Sequence, residues 1–133
     1  HAHEPLGPHG IRRRRRLDLW APDAGMACFD VHFRDSHADE HCVERGVHEY
    51  EVRGTVDLAT RTIGELQCAA LVLPWQECPA AVGSAQRVVG LRLGEVREHV
   101  RRELRGVSTC THLNDVLRSL GDLEVLARHT AAG

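Results

Sequence analysis

The 133-residue sequence contains no lysine: all seventeen of its basic residues are arginine. That absence excludes any mechanism through a lysine Schiff base. It also leaves a surface whose cations are planar guanidinium forks, which pair carboxylates two bonds at a time. Aromatic residues are scarce, at 4%, so Val, Leu and Ala must fill most of the core. The formal net charge is only −2, so no global signal points to nucleic acid or an anionic membrane. No apolar run approaches the length needed to span a bilayer. No CxxC pair occurs, which removes the usual zinc-finger spacing.

What is present fits one folded domain. The length suits a single core and is too short for two ordinary ones. Five cysteines occur, an odd number: Cys28, Cys42, Cys68, Cys78 and Cys110. No charged-then-apolar leader opens the sequence, and the expectation is a cytoplasmic protein with reduced thiols. The first ten residues hold two prolines, two glycines and three histidines. Residues 1–11 therefore read as a flexible arm, and residues 12–133 as a single domain.

The patterning changes period halfway. Arg12 to Trp20 and Met26 to Phe33 alternate around the turn residues Ala21 to Gly25, as a hairpin does. Val47 to Val56 is the clearest strand, with His48, Tyr50, Val52, Gly54 and Val56 on one face and Glu49, Glu51 and Arg53 on the other. Ile63 to Leu73 gives a fourth strand. Helical spacing follows: a helix from Cys78-Pro79 to about Val89, a second over Gly94 to Arg105, and a third from His112 to about Arg128. The expected fold class is α+β, a four-stranded antiparallel meander followed by three helices packed on one face.

Candidate chemistry gathers in two places. The segment Arg34 to Gly46 predicts a long loop rich in metal-binding side chains, among them Asp35, His37 and Cys42; on composition alone a solvated polar loop is the plainer account. Cys78 opens the first expected helix. Cys110 and His112 lie just before the third, where unpaired N–H groups and the helix dipole favour a thiolate. If these termini meet, Cys78, Cys110, His112 and Asp35 form a mixed sulfur, nitrogen and oxygen set suited to a zinc or iron ion. Buried, inert cysteines are the plain alternative.

The segments RRRRRLDLW, HFRDS, VHEYEVRGTVD, LPWQECPAA and CTHLNDVLRSL together resemble a bacterial domain-of-unknown-function family, DUF 2889. A more distant likeness is to the NifU/IscU-type iron–sulfur scaffold proteins. Here CPAA at Cys78 is similar to their helix-opening cysteine, and CTHL at Cys110 to their last His-Cys pair, reordered. That likeness implies a sheet-then-helices fold with a metal site at helix N-termini. Asp35 stands near the place of a scaffold cysteine, which favours a single metal over a cluster.

Three functions compete. The first is a zinc- or iron-binding domain with metal ligands Cys78, Cys110, His112 and Asp35, in a structural, carrier or catalytic role. The second is a metal-independent lyase or isomerase on a small acid or aromatic. Its nucleophile would be Cys110 and its base His112, oriented by Asp35 or Asp115. The third is an interaction module, binding a protein partner or a second copy of itself through the basic run. Alternation puts Arg12, Arg14 and Arg16 on one face, to pair with Glu49, Glu51 and Asp57. That run lacks interleaved aromatics, so nucleic acid is not expected as a partner, and neither is a membrane.

Overall fold

A computed structural model describes residues 4–72, 83, 85–103 and 111–131, with only the backbone described at 72, 111–113 and 130–131. Four strands, β1 (Ile11–Trp20), β2 (Met26–Ala38), β3 (Glu44–Asp57) and β4 (Thr62–Val72), form one antiparallel sheet in the order β1-β2-β3-β4. The expected meander is present, and with the helices that follow it the fold is α+β.

Each hairpin turns on an aspartate. The Asp23 carboxylate accepts the N–H groups of Gly25 and Met26 at 2.9 and 3.0 Å. Asp39 accepts from His41 and Val43 at 2.8 and 3.0 Å, and Asp57 from Ala59 and Thr60 at 2.8 and 3.1 Å. Such a side chain substitutes for a backbone acceptor and fixes a tight turn. Cys42 and Arg61, at φ of 64° and 60°, take the left-handed conformation that completes two of these turns.

The second turn corrects an expectation. Arg34 to Gly46 is not a long loop. Strand β2 runs to Ala38 and β3 starts at Glu44, so the connection is a short turn. Asp35 and His37 are strand residues.

The inward face carries the core. Phe29, Val31 and Phe33 of β2, Tyr50, Val52 and Val56 of β3, and Ile63 and Leu66 of β4 are all buried. Each fully buried side chain of this size contributes roughly 1.5–3 kcal/mol from its removal from water. They join one cluster with Val96 and Val100 of helix α1 (Leu93–Glu103), Val116 and Leu117 of α2 (Thr111–Ser119), and Leu123 and Ala127 of α3 (Leu123–Ala131). The helix expected from His112 to Arg128 thus forms as two, joined by a 3-10 turn over Leu120–Asp122 that contains Gly121. The helix expected from Cys78 lies mostly outside the described residues, and its described end, Ala85–Val88, is 3-10. The segment before α1 is stitched to β4 by Gly90 N–H to Ile63 O at 2.8 Å and Ile63 N–H to Leu91 O at 2.9 Å. Among the described residues no helix is long and apolar enough to cross a membrane.

Candidate functional site

On β2 and β3 the inward rows carry no polar side chain until they reach one end. Leu19, Phe29 and Gly54 lie in register, then Leu17, Val31 and Val52, then Arg15, Phe33 and Tyr50. The next row is Arg13, Asp35 and His48. A register shift between Asp35 and Ser36 ends the regular pairing there. The core therefore closes on a polar row.

Asp35 is only 8% exposed. A buried carboxylate requires a partner, and Arg13 supplies one from the neighbouring strand. Its Nε donates to Oδ1 at 2.8 Å and its Nη2 to Oδ2 at 2.9 Å. The guanidinium also lies over the Phe33 ring, 4.9 Å from its centre. The Asp35 hydrogen bond holds the Arg13 pKa above its ordinary value, against a smaller desolvation effect.

Arg13 reaches the helices as well. Its Nη1 lies 3.5 Å from Oδ2 of Asp115 in α2, and Asp115 pairs with Arg118 of the same helix. Acid and base thus alternate from β2 through β1 into α2: Asp35, Arg13, Asp115, Arg118. Asn114, 8% exposed, is the neighbour of Asp115 on the first turns of that helix.

Of the four site residues expected from sequence, Asp35 belongs to this polar row. His112 lies on the opening turn of α2, three residues before Asp115 and so about 4.5 Å along the axis, with its backbone alone described. Cys78 and Cys110 lie outside the described residues, as does Trp75. No group of three or more His, Cys, Asp or Glu side chains that can hold a metal occurs among the described residues.

Arg13 escaped the sequence reading, although a signal for it exists. It shares strand parity with Leu17 and Leu19, so it points inward and needs a buried acid. Asp35 shares parity with Phe33 and Val31 and is that acid.

The outward face is wet and charged. Glu44 is approached by Arg12 at 3.1 Å, Arg14 at 3.3 Å and Arg34 at 3.5 Å. The Ser36 hydroxyl donates to the same carboxylate at 2.5 Å, and with the three arginines it lowers the Glu44 pKa. His32 meets Glu49 at 2.8 Å, and Arg16 meets Asp18 at 3.1 Å and Asp30 at 3.6 Å. Arg12, Arg14 and Arg16 do share a face, but their partners are Glu44, Asp18 and Asp30, not Glu49, Glu51 and Asp57. The three expected acids are engaged elsewhere: Glu49 with His32, Glu51 with Arg53, and Asp57 with the N–H groups of its own turn.

No curated protein and no solved structure matches the chain. Residues 11–126 match the family model described as Protein of unknown function (DUF2889). That span begins with β1 and takes in the sheet, the polar row and the opening of α2, and the chain belongs to this family.

Proposed function

We propose that the domain binds a single zinc or iron ion through Cys78, Cys110 and His112 at the mouth of α2, with Asp35 completing the site. The observation that supports this is the Arg13 bridge between Asp35 and Asp115. It ties the acid expected in the site to the first turns of the helix that His112 opens. Both Asp35 oxygens are engaged by Arg13, so its role is to orient and charge-balance the site from outside the coordination sphere. Carboxylates commonly do this for metal-bound histidines. Three protein ligands leave a coordination position open, the arrangement of a catalytic rather than a structural centre. A small-molecule substrate, a protein partner or a second copy of the chain then becomes the open question for that position.

A second reading is favoured by the saturation of Asp35. A carboxylate already held by a guanidinium is a poor metal ligand, but Arg13 beside it is a ready receptor for a substrate carboxylate. In that case Cys110 is a nucleophile and His112 its base, without metal, acting on a small acid or aromatic.

Elemental analysis decides between them. The protein is purified anaerobically without a chelating column, beside Cys110→Ala, His112→Ala and Asp35→Asn. Near-stoichiometric zinc or iron, lost in the first two and weakened in the third, supports the metal centre. Sulfide with visible charge-transfer bands supports a cluster scaffold instead. No metal in any preparation, reconstituted ones included, overturns the metal reading. Rapid alkylation of Cys110 near neutral pH then supports the cysteine enzyme.

A further inference from the structure

The outward end of β1 and β2 holds more cation than it answers. Arg14 stands directly opposite Arg34, and Arg16 opposite His32. Cross-strand neighbours of like charge destabilise a sheet. Together with Arg13 and Arg15 these four side chains line a cavity of about 460 Å³. Asp18 and Asp30 answer Arg16, and Glu49 answers His32. Among the described residues Glu44 alone forms ion pairs with Arg12, Arg14 and Arg34, so three positive charges share one negative charge. Arg15 has no ion-pair partner among the described residues, and Arg14 Nε meets no hydrogen-bond acceptor among them.

We propose that this arginine-lined cavity is a binding site for a small, multiply charged anion of the pyrophosphate or phosphate-ester class. Guanidinium forks match phosphate oxygens in pairs. A bound dianion supplies the two charges that Glu44 does not, and it offsets the opposition of Arg14 and Arg34. Two of the lining arginines are held in place by their ion pairs with Glu44: Arg14 and Arg34 are 35% and 27% exposed. Less rotamer freedom is therefore lost on binding than with free surface chains. Glu44 competes with the ligand for the same forks, which makes its removal informative. Arg13 lines this cavity as well as the polar row, but Arg34, Glu44 and Arg16 belong to the outward face and have no part in the metal centre, so variants there test the anion site separately.

The test is calorimetric titration of the whole chain with inorganic pyrophosphate at low ionic strength. Circular dichroism confirms that each variant is folded. Saturable binding is expected, weakened by about tenfold or more in Arg34→Gln, the loss of one charge-assisted pair. Glu44→Gln is expected to bind about threefold or more tightly than the parent. Arg97→Gln, whose partner Asp122 belongs to the helices, is expected to match the parent. Should Arg34→Gln fail to fold, the more exposed Arg16→Gln replaces it, with the same weakening expected. No saturation up to about 10 mM pyrophosphate overturns the site. So does equal affinity across all variants, or a Glu44→Gln variant that binds less. A single-stranded oligonucleotide bound more than about tenfold tighter than pyrophosphate also overturns it, since a backbone-tracking groove would then be the better description.

Discussion

Arg13 and Asp35 face each other across β1 and β2, and the guanidinium closes on the carboxylate with two hydrogen bonds of 2.8 and 2.9 Å. The acid side chain is 11% exposed and the base 42%. The pair therefore has one dry partner and one wet partner, and its two halves are not equivalent. Removing the base strands a buried charge, whereas removing both leaves a surface that water and Phe33 can cover. Arg13→Met is expected to cost about 2–3 kcal/mol, below the full cost of breaking a buried pair because Arg13 is partly solvated. The double variant Arg13→Met/Asp35→Leu is expected to recover part of that loss. Urea unfolding of both variants checks this, and a double variant no more stable than the single one contradicts it.

Gly54 is the contact point between β3 and the ring of Phe29. A Cβ there would lie 2.1 Å from the Glu65 carbonyl oxygen and 2.6 Å from Phe29 Cζ. The carbonyl belongs to the β4 backbone and moves only if the ladder opens. Gly54→Ala is expected to lose about 3 kcal/mol, the upper range for overpacking. Gly94→Ala has nothing within 4 Å of its Cβ and lies in helix α1. That variant is expected to gain about 0.5–1 kcal/mol from helix propensity. Thermal melts of the two should move in opposite directions.

Strand β3 was legible in the sequence because alternation is a local signal: Tyr50, Val52 and Val56 point inward as the pattern requires. The end of β2 was not, because Arg34 to His37 is polar. Its strand form depends on charges from β1 and β3 that lie far away in sequence. Asp39 nevertheless repeats the turn chemistry of Asp23 and Asp57, and that repetition marks a third tight turn where composition alone predicts a loop. Arg13 and Asp35 have readable parity, but only the register shows that they face each other. Nothing local distinguishes a helix from the 3-10 turn at Leu120–Asp122. The thiols Cys78 and Cys110 lie outside the described residues, so the metal centre still rests on chain order and on the tie between Asp35 and α2.

Cys42 and Cys68 are expected to differ sharply as nucleophiles. Both are free thiols. Cys42 lies exposed in the β2–β3 turn. Cys68 lies in register with Val52 on the inward face, and burial pushes its pKa up to about 11. The thiolate is the reactive species, so near neutral pH Cys68 holds little of it and offers poor access. Timed iodoacetamide labelling read by peptide mass spectrometry should find Cys42 modified at least about tenfold faster. Comparable rates would show that the β4 edge opens far more often than its packing implies.

Glu44 makes part of the stability of this fold acid-sensitive, and the direction follows from its neighbours. The Ser36 hydroxyl and three arginines favour the carboxylate and hold its folded pKa below the ordinary value of 4.5. A group depressed on folding adds stability above its unfolded pKa and loses it as pH falls through the folded value. The advantage of the parent over Glu44→Gln should therefore be full near pH 7 and intact at about pH 5. It should shrink as pH falls below the ordinary value of 4.5 and through the lowered folded value, and so be smaller at about pH 3 than at about pH 5. Asp39, lowered by the backbone N–H groups of Val43 and His41, weakens both proteins in the same direction and cancels in the subtraction. Urea midpoints measured for the pair at these three pH values give the curve. A difference that stays constant down to the lowest pH would mean that Glu44 acts through packing and hydrogen bonding that protonation leaves intact. Its three arginines would then be answered by solvent or by the anion proposed for the cavity beside them.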